Sequence, residues 1–139
     1  MTKKIAIIAA LLVVTGAACK DSDADRERDP NAVACVSTPS PIAGPKFPTP
    51  FPEIDDVTWT SNQTAGPTQV IQGYTGDALG DLFGEMKEKF DGNGFSVAKS
   101  ERDPHDAEVN FEGAKNNGQV RLAEECQGRT AVTISIRPK

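Results

Sequence analysis

From Val57 onward, apolar and polar residues repeat with periods that separate strands from a helix. Val57 and Trp59 alternate with Thr58 and Thr60, and after the turn chemistry of Ala65-Gly66-Pro67 the run Thr68 to Tyr74 reads as a second strand, so the pair predicts a hairpin. The period then changes. Leu79, Leu82, Phe83, Met86 and Phe90 stand at i, i+3, i+4, i+7 and i+11, which draws one apolar stripe on a helix from about Asp77 to Phe90. Thr75 is placed to cap its start, and Gly92 and Gly94 follow its end, where a left-handed residue finishes the last turn. Beyond it the period returns to two, at Phe95 and Val97, at Ala107, Val109 and Phe111, at Val120 and Leu122, and at Val132, Ile134 and Ile136. Asp103-Pro104-His105 and Asn116-Asn117-Gly118 supply turns between them. Because each strand is apolar on one face only, the sequence predicts an α+β domain over residues 51–139, two layers with one amphipathic helix on a mainly antiparallel sheet of about six strands, in the order ββαββββ.

Before Phe51 neither period is present. Lys20 to Ala34 is dense in charge and holds only alanines and one valine as apolar content, too little to fold alone. Pro39, Pro41, Pro45, Pro48, Pro50 and Pro52 then bias the chain to extended geometry. Residues 19–50 are therefore expected to be a disordered acidic and Pro-rich tether. Asp21, Asp23 and Asp25 alternate as in a calcium loop, but Arg26 and Ala32 stand where such a loop needs Gly and Glu, so they read as a solvated charge run.

The first eighteen residues follow a third pattern. Lys3 and Lys4 precede ten unbroken apolar residues, Ile5 to Val14, and then small residues lead to Cys19. That is the form of a secretory signal, and a run of ten is half of the roughly 20 residues a spanning helix needs. Gly16-Ala17-Ala18-Cys19 resembles a bacterial lipobox, whose cysteine receives a diacylglyceryl group and becomes residue one of the mature chain. Gly16 stands where that motif has Leu or another aliphatic residue, so ordinary signal-peptidase cleavage after Ala18 stays open. Two acyl chains hold a protein stably at a membrane where one holds it marginally. Lys20 departs from the Asp associated with inner-membrane retention, which makes the outer membrane the default in a diderm envelope, with the domain in the periplasm or on the extracellular side.

Charge narrows the partners. The whole chain carries a net charge of −5 at pH 7, and loss of residues 1–18 removes two lysines and no acid, leaving thirteen basic against twenty acidic residues. Such a chain is a poor ligand for nucleic acid or anionic lipid headgroups, whose affinity comes from clustered Lys and Arg. The membrane is therefore expected to be reached through lipid on Cys19, and any other partner to be an envelope protein. Taken together, Phe51-Pro52 after a Pro-rich spacer, the helical Leu82 to Phe90, Gly94-Phe95 and the closing Thr130 to Ile136 resemble a loose group of small bacterial envelope lipoproteins. The resemblance implies a fold and an address, and it brings no catalytic residue or ligand with it.

Candidate chemistry is sparse. His105, the one histidine, lies in a turn beside Asp103 and Asp106; no HExxH, CxxC or nucleophile-elbow pattern occurs; and Glu124 and Glu125, adjacent on a strand, point to opposite faces. No catalytic residue, metal site or cofactor is expected. With Cys19 lipidated, Cys35 and Cys126 remain as one even pair, read as a disulfide in an exported chain, the alternatives being a bond from Cys35 to another protein or a free thiol. Gly76, Gly80 and Gly84, spaced by four, are expected along one side of the helix. Interior glycines cost about 1 kcal/mol each against Ala, so they call for a reason, either close packing on the sheet or a smooth surface that admits a partner. Two function classes follow: a membrane-anchored, non-catalytic accessory or binding module, and a small extracytoplasmic hydrolase or metal-dependent enzyme.

Overall fold

A computed structural model describes residues 31–139. Six strands and one helix follow in the expected order: β1 (Thr58–Ala65), β2 (Thr68–Thr75), α1 (Leu79–Gly92), β3 (Ser96–Arg102), β4 (Asp106–Glu112), β5 (Asn116–Cys126) and β6 (Arg129–Pro138). Every strand pairing is antiparallel, in the spatial order β1-β2-β6-β5-β4-β3, so β1 and β3 are the sheet edges. The period-two residues do what the pattern requires. Ile71, Ala107, Val109, Phe111, Val120, Leu122, Val132, Ile134 and Ile136 are buried on one face, and Leu79, Leu82, Met86 and Phe90 of α1 close over it.

Two local expectations are corrected. The helix begins at Leu79 with Ala78 as its N-cap and no side-chain cap bond. Thr75 is buried and works one step earlier: its Oγ1 donates to Asp77 Oδ2 at 2.8 Å and accepts from the Asp77 N–H at 3.2 Å. It shapes the turn into the helix, while Thr130 Oγ1 fixes that turn to β6 by donating to the Asp77 carbonyl. Asn116-Asn117-Gly118 is strand, and the β4–β5 turn lies just before it, closed by Gly113 N–H to Asn116 O at 2.8 Å. Side-chain space explains the shift, because a Cβ on Gly118 would run into the Ser135 carbonyl and stand 2.6 Å from the Phe111 ring. Gly118 is a strand residue made small so that Phe111 and β6 can close on it. The end of α1 follows the pattern: Gly94 has φ +78° and the Phe95 N–H bonds to the Phe90 carbonyl, the left-handed finish of a helix.

A sheet of six strands is about 24 Å across, and one helix of about 10 Å covers less than half of it. Helix α1 packs on β3, β4 and β5, so further apolar cover is needed. The chain ahead of β1 supplies it. Phe47 stacks on Phe51 with ring centroids 4.7 Å apart and meets Trp59 of β1 edge-on at 5.6 Å. Phe51 in turn meets Phe90, Phe95 and Phe111, and Ile54 is buried. Lys89 of α1 fastens this segment by donating to the Glu53 carbonyl at 2.8 Å and to Asp55 at 2.9 Å. The folded unit therefore begins ahead of Phe51, and part of the expected tether belongs to it. The expected signal segment, the expected lipidation site Cys19 and the charged run as far as Pro30 lie outside the described residues.

Candidate functional site

Among the described residues, no apolar layer covers the face of the sheet opposite the helix. Its central cross-strand rows are mostly polar: Gln72, Thr133, Arg121 and Glu108 are successive partners on β2, β6, β5 and β4, and Val70, Ser135, Gln119 and Asn110 make the next row. Gln119 Nε2 donates to Glu108 at 3.1 Å and to Asn110 at 3.2 Å, so side-chain hydrogen bonds tie the two rows together. An open depression of about 170 Å³ lies on this face, lined by Thr60, Gln72, Tyr74, Glu125 and Thr133 among others, and Pro39 of the amino-terminal segment forms one wall.

Pro39 is there because the chain from Val33 to Lys46 forms a strap across one end and one edge of the sheet. It has no helix or regular strand, as its prolines dictate. Cys35 is bonded to Cys126 at the end of β5, with Cα atoms 5.2 Å apart, inside the range a disulfide spans. On either side, the Gln127 N–H donates to the Val33 carbonyl at 2.8 Å and Arg129 Nη1 donates to the Ser37 carbonyl at 2.6 Å. Farther on, the Ile42 N–H donates to the Trp59 carbonyl at 2.8 Å, which occupies one hydrogen-bonding position on the outer edge of β1, and the Lys46 carbonyl accepts from Gln69. These bonds hold in place a Pro-rich run that composition alone reads as free chain.

Arg129 is the residue that the sequence reading did not single out. Its guanidinium is mostly buried, pairs with Glu125 at 2.8 Å, lies 5.5 Å from the centre of the Tyr74 ring, and reaches Ser37 on the strap. One side chain thus links the β5–β6 turn, the polar sheet face and the strap. In sequence it is an unremarked cation after Gly128, and only the turn there, with Gly128 at φ +73°, brings it back beside Glu125.

The remaining singled-out residues separate. Gly76 precedes α1 in the turn, while Gly80 and Gly84 lie in the helix, so the three do not form one helical stripe. A Cβ on Gly76 or on Gly84 would meet nothing within 4 Å, which removes close packing on the sheet as the reason for Gly84; Gly80 is half-buried. His105 Nδ1 lies 2.9 Å from Glu124 Oε2, and the Glu124 side chain is only 13% exposed. Glu124 and Glu125 thus serve different partners, His105 and Arg129. Among the described residues no group of three or more His, Cys, Asp or Glu side chains is placed to hold a metal ion, and no helix is long and apolar enough to cross a membrane.

Charged contacts outside this region have directional pKa consequences, among them those of Lys89 and Glu112. Partial burial alone pulls the Lys89 ammonium down, but its hydrogen bonds to Asp55 and Glu85 outweigh that and raise it above 10.5. On the surface, the Lys139 ammonium, 2.7 Å from Glu112, holds that carboxyl below its ordinary value through a hydrogen bond and charge attraction. The first fastens α1 to the preceding segment; the second is an exposed surface pair between Lys139 and β4. Comparison with family models, with curated proteins and with solved structures finds no match to the chain.

Proposed function

We propose that the chain is an exported envelope lipoprotein, anchored by lipid on Cys19, whose α+β domain acts as a non-catalytic accessory or binding module for another envelope protein. The observation that carries this reading is the Cys35–Cys126 bond. Disulfides persist in oxidising compartments outside the cytosol, which agrees with the signal-like residues 1–18 and the lipobox-like Gly16-Ala17-Ala18-Cys19. The binding surface in this reading is the side of α1 bearing Gly80 and Gly84. At Gly84 the helix backbone is reachable without a side chain in the way. Intact mass of the protein extracted from membranes should equal residues 19–139 plus lipid, and Cys19→Ala should shift the protein to the soluble fraction. A soluble mature protein with an unmodified Cys19 thiol would refute the anchor.

One observation favours a second reading, a small extracytoplasmic hydrolase. His105 Nδ1 lies 2.9 Å from the mostly buried Glu124 carboxylate, and a carboxylate beside one ring nitrogen is the arrangement that orients a histidine for general acid–base catalysis. His105→Ala separates the two. Under the binding reading the variant keeps both fold and cellular function; loss of function with the fold intact would support the enzyme.

A further inference from the structure

We infer that the Cys35–Cys126 disulfide is a redox-sensitive clasp, whose reduction frees the strap from Val33 to Lys46, opening the outer edge of β1 and the polar sheet face while the domain stays folded. This goes beyond the anchoring reading and stands whether or not Cys19 carries lipid.

The strap has little to hold it besides the bond. Val33, Val36 and Ile42, its larger apolar residues, are 73%, 101% and 42% exposed, so burial contributes almost nothing to its attachment. What remains is a short series of hydrogen bonds, at Val33, Ser37, Ile42 and Lys46, in a segment without secondary structure of its own. Such a segment belongs to the part of a protein that opens locally at low free energy. The attachment changes character at Phe47, where aromatic packing begins; among the described residues, the hydrophobic core and the residues packed against it include nothing earlier than Phe47. Lys46 and Phe47 therefore mark the hinge. Release removes the Pro39 wall of the depression, the Ser37 acceptor of Arg129 and the Ile42 donor on the Trp59 carbonyl. An edge carbonyl and a polar face then become available together.

The chemistry needs only a dithiol. One of its thiolates attacks Sγ of Cys35, the exposed partner, forming a mixed disulfide as the bond to Cys126 breaks and Cys126 leaves as thiolate. The second thiol of the reductant then displaces Cys35 and closes the reductant into its own disulfide. Two electrons pass to the protein, and the two protons of the dithiol end on Cys35 and Cys126.

Amide hydrogen exchange read by NMR on the full chain, before and after dithiothreitol, tests this. Exchange at the Ile42 and Gln127 amides should quicken by at least about ten-fold, while Val132 and Ile134 keep their rates. The Cys35→Ser/Cys126→Ser variant should show the reduced pattern with no reductant. Unchanged rates at Ile42 and Gln127 once both thiols are alkylated would overturn the clasp. Loss of protection throughout β5 and β6, or failure of the double variant to fold, would overturn it from the other side, by making the bond a requirement of the fold.

Discussion

Two glycines that look alike in the sequence have opposite surroundings. Gly84 interrupts α1 and faces open space, so Gly84→Ala should stabilise the domain by about 1 kcal/mol in denaturant titration, the ordinary helix preference for Ala. Gly118 opens onto the Phe111 ring and the backbone of β6, so Gly118→Ala should destabilise it by roughly 1 to 3 kcal/mol or prevent folding, through overpacking. The spacing of Gly76, Gly80 and Gly84 was legible, but whether a glycine is packed depends on what lies across from it. Periodicity holds no record of that. Lys89 gives a second test at this scale. Its pKa is raised in the folded state, so its contribution is complete below about pH 10.5 and is lost as pH rises through the higher folded value. Lys89→Met should cost about 1 to 2 kcal/mol at neutral pH, from hydrogen bonds to charged partners at a partly exposed site. The gap between the variant and the parent protein should narrow in alkaline melts. An unchanged gap at the alkaline end would show that the ammonium is not the fastener.

At the scale of elements, strand and helix order was readable because each element shows its own period and buries one face. The aromatic cover was not. Phe47 and Phe51 sit among prolines, where no period exists, and their role follows from the width of a six-stranded sheet against a single helix. The strap escaped for a related reason: a Pro-rich run reads as solvated chain, and backbone bonds made to Gln127, Arg129 and Trp59 across the fold leave no local signature. The strap also sets what the disulfide contributes. In the unfolded chain the bond closes a loop across a sequence separation of 91. In the folded domain Phe47 already fixes the chain twelve residues past Cys35, so only a short loop is closed there. The two loops differ by about three doublings, each worth about 0.6 kcal/mol, so the bond should contribute about 2 kcal/mol to domain stability. Chemical denaturation of Cys35→Ser/Cys126→Ser checks this value. A loss near 5 kcal/mol would instead mean that the strap is firmly held even without the bond.

For the molecule as a whole, the bond is compatible with an oxidising compartment, where disulfides persist. Domain architecture could be read from the strand and helix periods. The identity of a partner could not, since the open sheet face and the Gly84 side of α1 are defined by what they lack. The most direct measurement is non-reducing peptide mapping of protein taken from membranes into excess alkylating agent. It should recover one linked peptide pair holding Cys35 and Cys126, with Cys19 at an acylated amino terminus. Alkylated Cys35 and Cys126 without prior reduction, on a chain whose Cys19 bears no lipid, would contradict export, anchor and clasp at once.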